Sequence, residues 1–350
     1  MINPIVFEDH KGNYLNPRTH AQNVYTGKST ETVEQALNKQ AAEKVGKKSS
    51  GGGEIFNDTT NNTATGLNSH AQNQDCHAIG DNSDAGGFLN TVNAYSGFSR
   101  GFSNTIDGMY TAGIGEGLVS QSSAYAQTLL GKYNTPNVDG LLIVGYGTEA
   151  GATANALRVS STGRCYGAQA FGSSGADYAE MFEWADGNPN GEDRRGLFVT
   201  LDGEKISLAH GETDYIVGII SAYPSVVGDV CSDEWQGKFK KDVFGAYIWE
   251  EIKVEEKDLG NGSVIPAHTE KRRVLNPDYD PSQEYKSRDE RKEWATVGML
   301  GKLVVIDDGT CEVNGYCKPS KNGIATASSE KTSYRVIGRI DENHIKVLVR

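Results

Sequence analysis

Small residues recur every seven positions between Thr63 and about Ala126. The alanine set is Ala64, Ala71, Ala78 and Ala85, and the second set is Gly66, Asn73, Gly80, Gly87, Ala94, Gly101, Gly108 and Gly115. A coiled coil needs large apolar residues at two positions of each heptad, and this stretch lacks them. Seven residues can instead form one short strand and a turn, with glycine or asparagine where φ is positive. The pattern predicts a β-roll or β-helix-like shaft over residues 51–135.

A single copy of such a repeat would bury few apolar side chains, because its anchor residues are small. Shafts of this kind usually share a core with other chains, so we expect a parallel homotrimer. His70 and His77 are also seven residues apart and would stack in successive rungs. A metal ladder is one interpretation of that pair. We expect polar stacking at the surface instead, and no metal site.

The N-terminal 50 residues contain one helical pattern, which begins near Thr32. Its apolar stripe consists of Val33, Leu37, Ala41 and Val45. Thr32 and Gln35 have the spacing of a capping box. A helix of about four turns is marginal alone, so it would form a short coiled coil or lie on a neighbouring domain. Residues 1–50 are therefore predicted to be an attachment segment, and Lys47 to Gly53 to be a linker.

Strand patterns dominate the rest of the chain. Leu141–Gly147 and Ala156–Val159 are predicted to close the shaft, and residues 136–176 to comprise these closing strands and the cleavage linker. An all-β domain is predicted for residues 177–350, with strands at Gly196–Leu201, Tyr215–Ala222, Phe244–Val254, Thr269–Leu275, Ala295–Ile306, Gly323–Ala327, Tyr334–Ile340 and Ile345–Val349. The charged segment from Asn276 to Trp294 is either a lid or solvated surface, and its residues alone favour surface.

Composition narrows the class of protein. The 350 residues include 42 glycines, which favours β structure with tight turns. The net charge of −12 and the lack of a basic cluster argue against nucleic-acid binding. Neither a signal peptide nor a membrane-length apolar run is present, so we expect folding in the bacterial cytoplasm without membrane insertion. The five scattered cysteines are expected to be free buried thiols, and we find no motif for a cofactor.

The candidate chemistry is concentrated between Gly172 and Trp184, where the sequence reads G-S-S-G-A-D-Y-A-E-M-F-E-W. Five small residues favour an accessible backbone, and a strand pattern follows. Alternation places Tyr178, Glu180, Phe182 and Trp184 on one face, and Asp177, Ala179, Met181 and Glu183 on the other. A carboxylate among aromatic rings is partly desolvated, which raises its pKa toward the range of a general base or acid. The structural alternative is a paired acid in an ordinary strand.

Several longer sequence motifs occur in a specific order in the C-terminal half of the chain. They are G-A-D-Y-A-E-M-F-E-W, E-D-R-R-G at Glu192, L-D-G-E-K at Leu201, N-P-D-Y-D-P at Asn276, V-G-M-L-G at Val297, and D-D-G-T-C-E-V-N-G-Y-C at Asp307. This order resembles the autoproteolytic intramolecular-chaperone domain of phage tailspikes and tail fibres. That family is grouped with the glutamic peptidases, as peptidase family G-two.

The resemblance implies self-cleavage between Ala176 and Asp177. Glu180 would be the nucleophile or general base, and Asp177 would orient the carbonyl or protonate the leaving nitrogen. Candidate supporting groups are Glu183, Arg194 and Arg195. A bond in the same chain as its catalyst is already positioned, which can contribute roughly 7–11 kcal/mol. The serines Ser173 and Ser174 offer a second route, an N→O acyl shift.

The resemblance further implies a phage or prophage tail fibre or tailspike component in the virion tail. Its N-terminus would bind tail or baseplate proteins, and its shaft a host surface glycan or receptor. Its C-terminal domain would direct folding and trimerisation and then release itself. The alternative is a non-enzymatic trimeric fibre that keeps this domain as a structural knob. A glycan hydrolase is disfavoured, because the shaft shows no convincing carboxylate pair in a groove.

Overall fold

The computed structural model describes residues 53–56, 61–211, 214–230, 234–260 and 264–350, together with three short N-terminal strands. These strands are β1 (Phe7–Glu8), β2 (Tyr14–Leu15) and β3 (Lys47–Lys48). Strand β3 pairs with β4 (Glu54–Phe56), so part of the predicted linker is a strand. The predicted helix from Thr32 to Val45 lies outside the described residues. The chain forms two compact units, Met1–Ala170 with Ile252–Glu270, and Phe171–Glu251 with Lys271–Arg350.

The first unit contains a β-solenoid. Its strands are β5 (Thr63–Ala64), β6 (His70–Gln74), β7 (His77–Ala78), β8 (Asp84–Phe88), β9 (Thr91–Val92), β10 (Phe98–Phe102), β11 (Thr105–Ile106), β12 (Ala112–Glu116), β13 (Thr128–Lys132) and β14 (Gly140–Tyr146). The short strands β5, β7, β9 and β11 form one parallel sheet, and the longer strands form another. His70 pairs with Asp84, and Asp84 with Phe98. One heptad is therefore one strand with its turn, as predicted, and two heptads make one turn of the solenoid.

The alanine column is the core of this solenoid. Ala64, Ala71, Ala78 and Ala85 are fully buried, and larger side chains continue the same cluster toward the C-terminal end, namely Val92, Ile106, Leu118, Leu129 and Ile143. One chain thus encloses its own narrow core. We expected a trimer because one copy of the repeat would bury too small a core. That reason is wrong for this segment.

The two histidines of the heptad pattern do not stack. His70 lies in β6 and His77 in β7, which belong to different sheets. His70 Nδ1 is 3.4 Å from Asp84 Oδ2, and His77 Nδ1 is 2.7 Å from Thr63 Oγ1. The predicted stacking in successive rungs is wrong, because consecutive heptads occupy opposite sides of the solenoid. Within the described ranges, no group of three or more His, Cys, Asp or Glu side chains could hold a metal ion.

Glycines stack along one corner of the solenoid because the backbones of successive turns are in contact there. Gly87, Gly101 and Gly115 have φ values of 116°, 124° and 150°. A Cβ atom on Gly101 would lie only 1.9 Å from the carbonyl oxygen of Gly115. A side chain would therefore meet both an unfavourable φ and a backbone clash.

We expect Gly101→Ala to lower the free energy of unfolding of the first unit by about 2–5 kcal/mol, because backbone strain and overpacking add. Gly151→Ala is the matched control, since a Cβ atom there would meet nothing within 4 Å. Thermal or urea unfolding of the two variants measures the difference. Equal stability of both variants would contradict the tight stacking.

Of the remaining strands, those within 155–167 and 257–265 belong to the first unit, those at 249–254 and 268–273 lie in both, and the others build the second unit. The full set is β15 (Asn155–Ser160), β16 (Cys165–Gly167), β17 (Asp177–Glu183), β18 (Phe198–Asp202), β19 (Lys205–Leu208), β20 (Ile216–Ile220), β21 (Val226–Gly228), β22 (Trp249–Val254), β23 (Lys257–Asp258), β24 (Val264–Ile265), β25 (His268–Arg273), β26 (Trp294–Ile306), β27 (Tyr316–Pro319), β28 (Ala325–Ser328), β29 (Tyr334–Arg339) and β30 (His344–Val349). Short 3₁₀ helices span Arg288–Glu290 and Lys321–Gly323. Strand β14 turns antiparallel into β15, which closes the parallel sheet.

The second unit is organised around the 13-residue strand β26. Its main sheet has the order β19-β18-β20-β26-β30-β29-β27-β28, and β17 pairs with both β26 and β21. The prediction of an all-β class for this part of the chain is confirmed, whereas residues 252–270 of the predicted domain group with the first unit. The strand predicted to begin at Phe244 is wrong at that end, because Phe244 lies in a turn and the strand begins at Trp249. No helix in the described parts of the chain has the length and apolar character needed to span a membrane.

Candidate functional site

The bond between Ala176 and Asp177 lies where an exposed segment enters the sheet. Ala176 is exposed, whereas Asp177, the first residue of β17, is only 5% exposed. Strand β17 runs antiparallel to β26, with Asp177 opposite Gly301. It also runs parallel to β21, with Tyr178 opposite Val226. The bond is therefore accessible on one side and anchored on the other.

Backbone contacts hold the chain on both sides of this bond. The N–H of Lys302 donates to the Ala176 carbonyl at 3.2 Å, and the N–H of Ser225 donates to the Asp177 carbonyl at 2.7 Å. One residue earlier, Gly175 packs so closely that a Cβ atom there would lie 2.4 Å from the Pro224 carbonyl. The Ala176 carbonyl thus has a fixed position and one N–H donor, as a reacting carbonyl requires.

Two glycines of the V-G-M-L-G motif, Gly298 and Gly301, pack against the bond between Ala176 and Asp177. A Cβ atom on Gly301, where φ is 116°, would lie 2.4 Å from the Ala176 carbonyl oxygen. On Gly298 it would lie 2.7 Å from Asp177 Oδ2. These glycines were not among the site residues expected from the sequence. Glycines inside a long strand pattern often mark a close backbone approach, and that signal could have found them.

The Asp177 carboxyl group is in an unusual environment. Its Oδ2 is buried and has no hydrogen-bond partner among the described residues. Burial raises the pKa of Asp177, and the neighbouring Ser221 hydroxyl partly opposes that increase. The carboxyl borders a cavity of about 350 Å³ whose wall includes Ser221, Tyr223, Lys302 and His344. A carboxyl group that is harder to ionise can donate a proton, so this site suits a general acid.

Glu180 lies on the other face of β17. It is half-buried, and its Oε1 accepts a 2.5 Å hydrogen bond from the Tyr178 hydroxyl. The alternation predicted from the sequence therefore separates Asp177 from Glu180. Four residues of extended strand span about 13 Å, which exceeds the length of a glutamate side chain. Within one chain, Glu180 consequently does not reach the Ala176 carbonyl.

The candidate supporting groups mainly form ion pairs. Glu183 Oε1 lies 2.8 Å from Lys205 Nζ. Arg194 stacks on the Trp184 ring and hydrogen-bonds Asp186, and this contact lowers the pKa of Asp186 to about 2. Of the three groups, Arg195 alone borders the cavity beside Asp177, where it pairs with Asp193.

The two serines lie before the bond and are exposed. Ser174 Oγ is 2.7 Å from the Tyr223 hydroxyl, and Ser173 Oγ accepts the N–H of Gly175 at 3.2 Å. These contacts fix the turn that precedes β17. They are consistent with a positioning role for the serines.

Comparison with known proteins agrees with the resemblance seen in the sequence. The pre-neck appendage proteins of Bacillus phages B103 and phi29 are each 36% identical to this chain, over 151 and 155 residues. The matches cover 43% and 44% of this chain but only 16% of each relative. The crystal structure of pre-mature bacteriophage phi29 gene product 12 shares the fold over 83% of this chain and 34% of that chain, with a TM-score of 0.53 and 24% identity.

The family comparison extends through most of the second unit. The family model described as "Peptidase_G2, IMC autoproteolytic cleavage domain" matches residues 132–344. That match covers more than half of the 350 residues. The chain therefore belongs to the Peptidase_G2 family of IMC autoproteolytic cleavage domains.

Proposed function

We propose that this protein is a component of a phage appendage whose C-terminal domain guides assembly and then cuts the chain between Ala176 and Asp177. Family membership and the two appendage proteins support this proposal. The observation that carries it is the buried Asp177 carboxyl at the junction between an exposed linker and a central strand. No cofactor is required for this chemistry.

The proposed reaction is a peptide hydrolysis that happens once in each chain. Water adds to the Ala176 carbonyl carbon while the Lys302 N–H binds the carbonyl oxygen. The C–N bond then breaks, and the neutral Asp177 carboxyl donates its proton to the leaving nitrogen of the same residue. The products are a new carboxyl group at Ala176 and a new amino group at Asp177.

The general base in this proposal is Glu180 of a second copy. Glu180 cannot reach the bond in its own chain, but its face of β17 is partly exposed next to Tyr178, which is 40% exposed. An adjacent copy could therefore bring this carboxylate to the Ala176 carbonyl, where it would accept a proton from the attacking water. Cleavage would then wait for assembly.

The assembly in this proposal is a parallel homotrimer, and its C-terminal domains set the register of the repeats. Strand pairing shifted by one solenoid turn still places small residues on small residues, so the repeat specifies register weakly. Residues 1–50 would attach to tail or baseplate proteins. The shaft would bind a host surface glycan or receptor.

A mass spectrum of the purified protein tests the proposed cut. We expect two fragments, one ending at Ala176 and one beginning at Asp177, each at its calculated mass. An intact chain after prolonged incubation of the assembled protein would favour the alternative, a fibre that keeps the domain as a permanent knob. Fragments with other masses would show that the chain is cut at a bond other than Ala176–Asp177.

A further inference from the structure

The most exposed apolar side chains of the described residues lie together in one turn. Val243 is 93% exposed and Phe244 is 92% exposed. Asp242 Oδ1 accepts the N–H groups of both Phe244 and Ala246 at 2.9 Å, which fixes the turn. We call residues 242–245 the apolar tip. An aromatic ring presented to water at the end of a hydrogen-bonded turn is available to enter a pocket on a partner.

The apolar tip has a basic border. Lys240 and Lys241 immediately precede it and are exposed. Lys241 also lies opposite Tyr247 in an isolated bridge that closes the turn. A partner surface that matches the tip should therefore combine an apolar pocket with acidic groups around it.

The same unit contains a cavity of that kind. It has a volume of about 340 Å³ and four aromatic side chains in its wall, Trp235, Tyr279, Tyr285 and Trp294. Asp278 and Asp280 also border it and are exposed. We call this the aromatic cavity. It combines aromatic walls with acidic groups at its edge.

The aromatic cavity is already formed in the single chain. The Arg288 side chain is buried and places its guanidinium group 3.7 Å from the centre of the Trp294 ring. Arg288 also pairs with Asp229 and Gln236. Trp235 and Tyr285 pack edge to face at 5.2 Å. A cavity held in this way does not have to order its aromatic walls when a partner binds.

The apolar tip cannot enter the cavity of its own chain. Backbone hydrogen bonds from Lys240 to Val274 and from Asn276 to Lys238 fix an extended segment between the two. Lys238 and Val243 are five residues apart in the sequence, which corresponds to about 16 Å in an extended conformation. The tip is thus held away from the wall formed by Trp235 and Asn276.

We propose that the apolar tip of one copy inserts Phe244 into the aromatic cavity of a second copy, with Lys240 and Lys241 facing Asp278 and Asp280. This inference rests on the assembly in the proposed function, and it names the contact that holds the copies together. Each copy offers one tip and one cavity, so the contact is head-to-tail and closes when the copies form a ring.

The first test measures assembly of the full chain by light scattering at micromolar concentration. Asp177→Asn is included in every sample to keep the chain uncut. We expect Phe244→Ser to weaken self-association at least ten-fold, whereas Tyr215→Ser, which alters another exposed aromatic side chain, leaves it unchanged. Equal assembly of the two variants would overturn the inference and leave the proposed trimer intact. A monomeric parent chain would instead contradict the proposed assembly, and the inference with it.

A charge exchange provides the second test. Lys240→Glu with Lys241→Glu, and Asp278→Lys with Asp280→Lys, should each weaken self-association. All four changes together should restore it, because the opposite charges face each other again. If the four changes together do not restore self-association, Lys240 and Lys241 do not face Asp278 and Asp280 in the assembly. Because restoration requires a folded chain, misfolding cannot imitate it.

Discussion

The Asp177→Asn chain is expected to remain uncut under conditions in which the parent chain is cut to completion. Asparagine keeps the size of the side chain but cannot supply an acidic proton to the leaving nitrogen. Loss of a general acid typically slows a reaction by about 10²–10⁴-fold. Gel bands at fixed times after folding measure the rate. A parental rate in this variant would exclude Asp177 as the proton donor.

Ser174→Ala is the matched control for that experiment. Ser174 contacts the Tyr223 hydroxyl in the exposed turn before the bond, so its loss should change the cleavage rate little. If this variant is not cut while the Asp177→Asn chain is cut normally, cleavage proceeds by the N→O acyl shift.

Glu180→Gln should also block cleavage when it is present in every copy. Folding the two variants together tests whether Glu180 acts on the bond of a second copy. A chain with Glu180→Gln still carries a functional Asp177, and a neighbouring Asp177→Asn chain still carries Glu180. Mixed assemblies should therefore cut the Glu180→Gln chains only. Absence of cutting in the mixture would contradict the action of Glu180 on a second copy, and normal cutting by Glu180→Gln alone would make Glu180 a structural residue.

The pH dependence follows from the same carboxyl group. Burial raises the pKa of Asp177 above its ordinary value of 3.8 in the folded protein. A proton donor must carry its proton, so the cleavage rate should fall as the pH rises through that raised pKa. The same shift contributes stability that is complete below 3.8 and is lost as the pH rises through the folded-state pKa. A stability profile of the uncut Asp177→Asn chain should lack that contribution.

The second large effect is expected when residues 1–176 are expressed alone. We expect aggregates or mixed species instead of one soluble, heat-resistant assembly. The reason is the repeat itself, because pairing β6 with β10 would still place Ala71 near a small residue, Ser99. Such errors cost little free energy and are numerous when nothing sets the register.

The matched sample is the same fragment after release from the full chain. It should remain soluble and heat-resistant, because a register that has formed is held by the whole stack of turns. Light scattering and solubility after heating compare the two samples. If the directly expressed fragment is equally soluble and equally heat-resistant, the C-terminal domain has no role in folding the shaft.

The sequence predicted the seven-residue period of the solenoid but not the number of strands in each of its turns. Ala64 and Gly66 recur because one heptad is one strand with its turn, and that is a local property. Local sequence does not say how many heptads complete one turn. Pairing of His70 with Asp84 determines that number, and it places His77 in the other sheet.

The candidate site was predictable to a similar degree. Alternation correctly separated Asp177 from Glu180, because side chains along a strand point to opposite faces. It does not specify which face is buried. Glu180 was expected to be the desolvated carboxylate because three aromatic residues share its face, whereas in the structure Asp177 is the buried one. The backbone of Gly298 and Gly301 in β26, far away in the chain, packs against Asp177 and leaves no room for side chains there.

The position of Asp177 at the start of a buried strand would also make the cut a one-way step. Hydrolysis would create an α-amino group with a pKa near 8, directly beside the carboxyl group that had been difficult to ionise. The new positive charge would favour the carboxylate form of the same residue. Rejoining the chain requires an uncharged amine that gives its proton to the Asp177 carboxylate, and the ion pair disfavours the uncharged amine. The product would thus be trapped electrostatically, without any need for the two fragments to separate first.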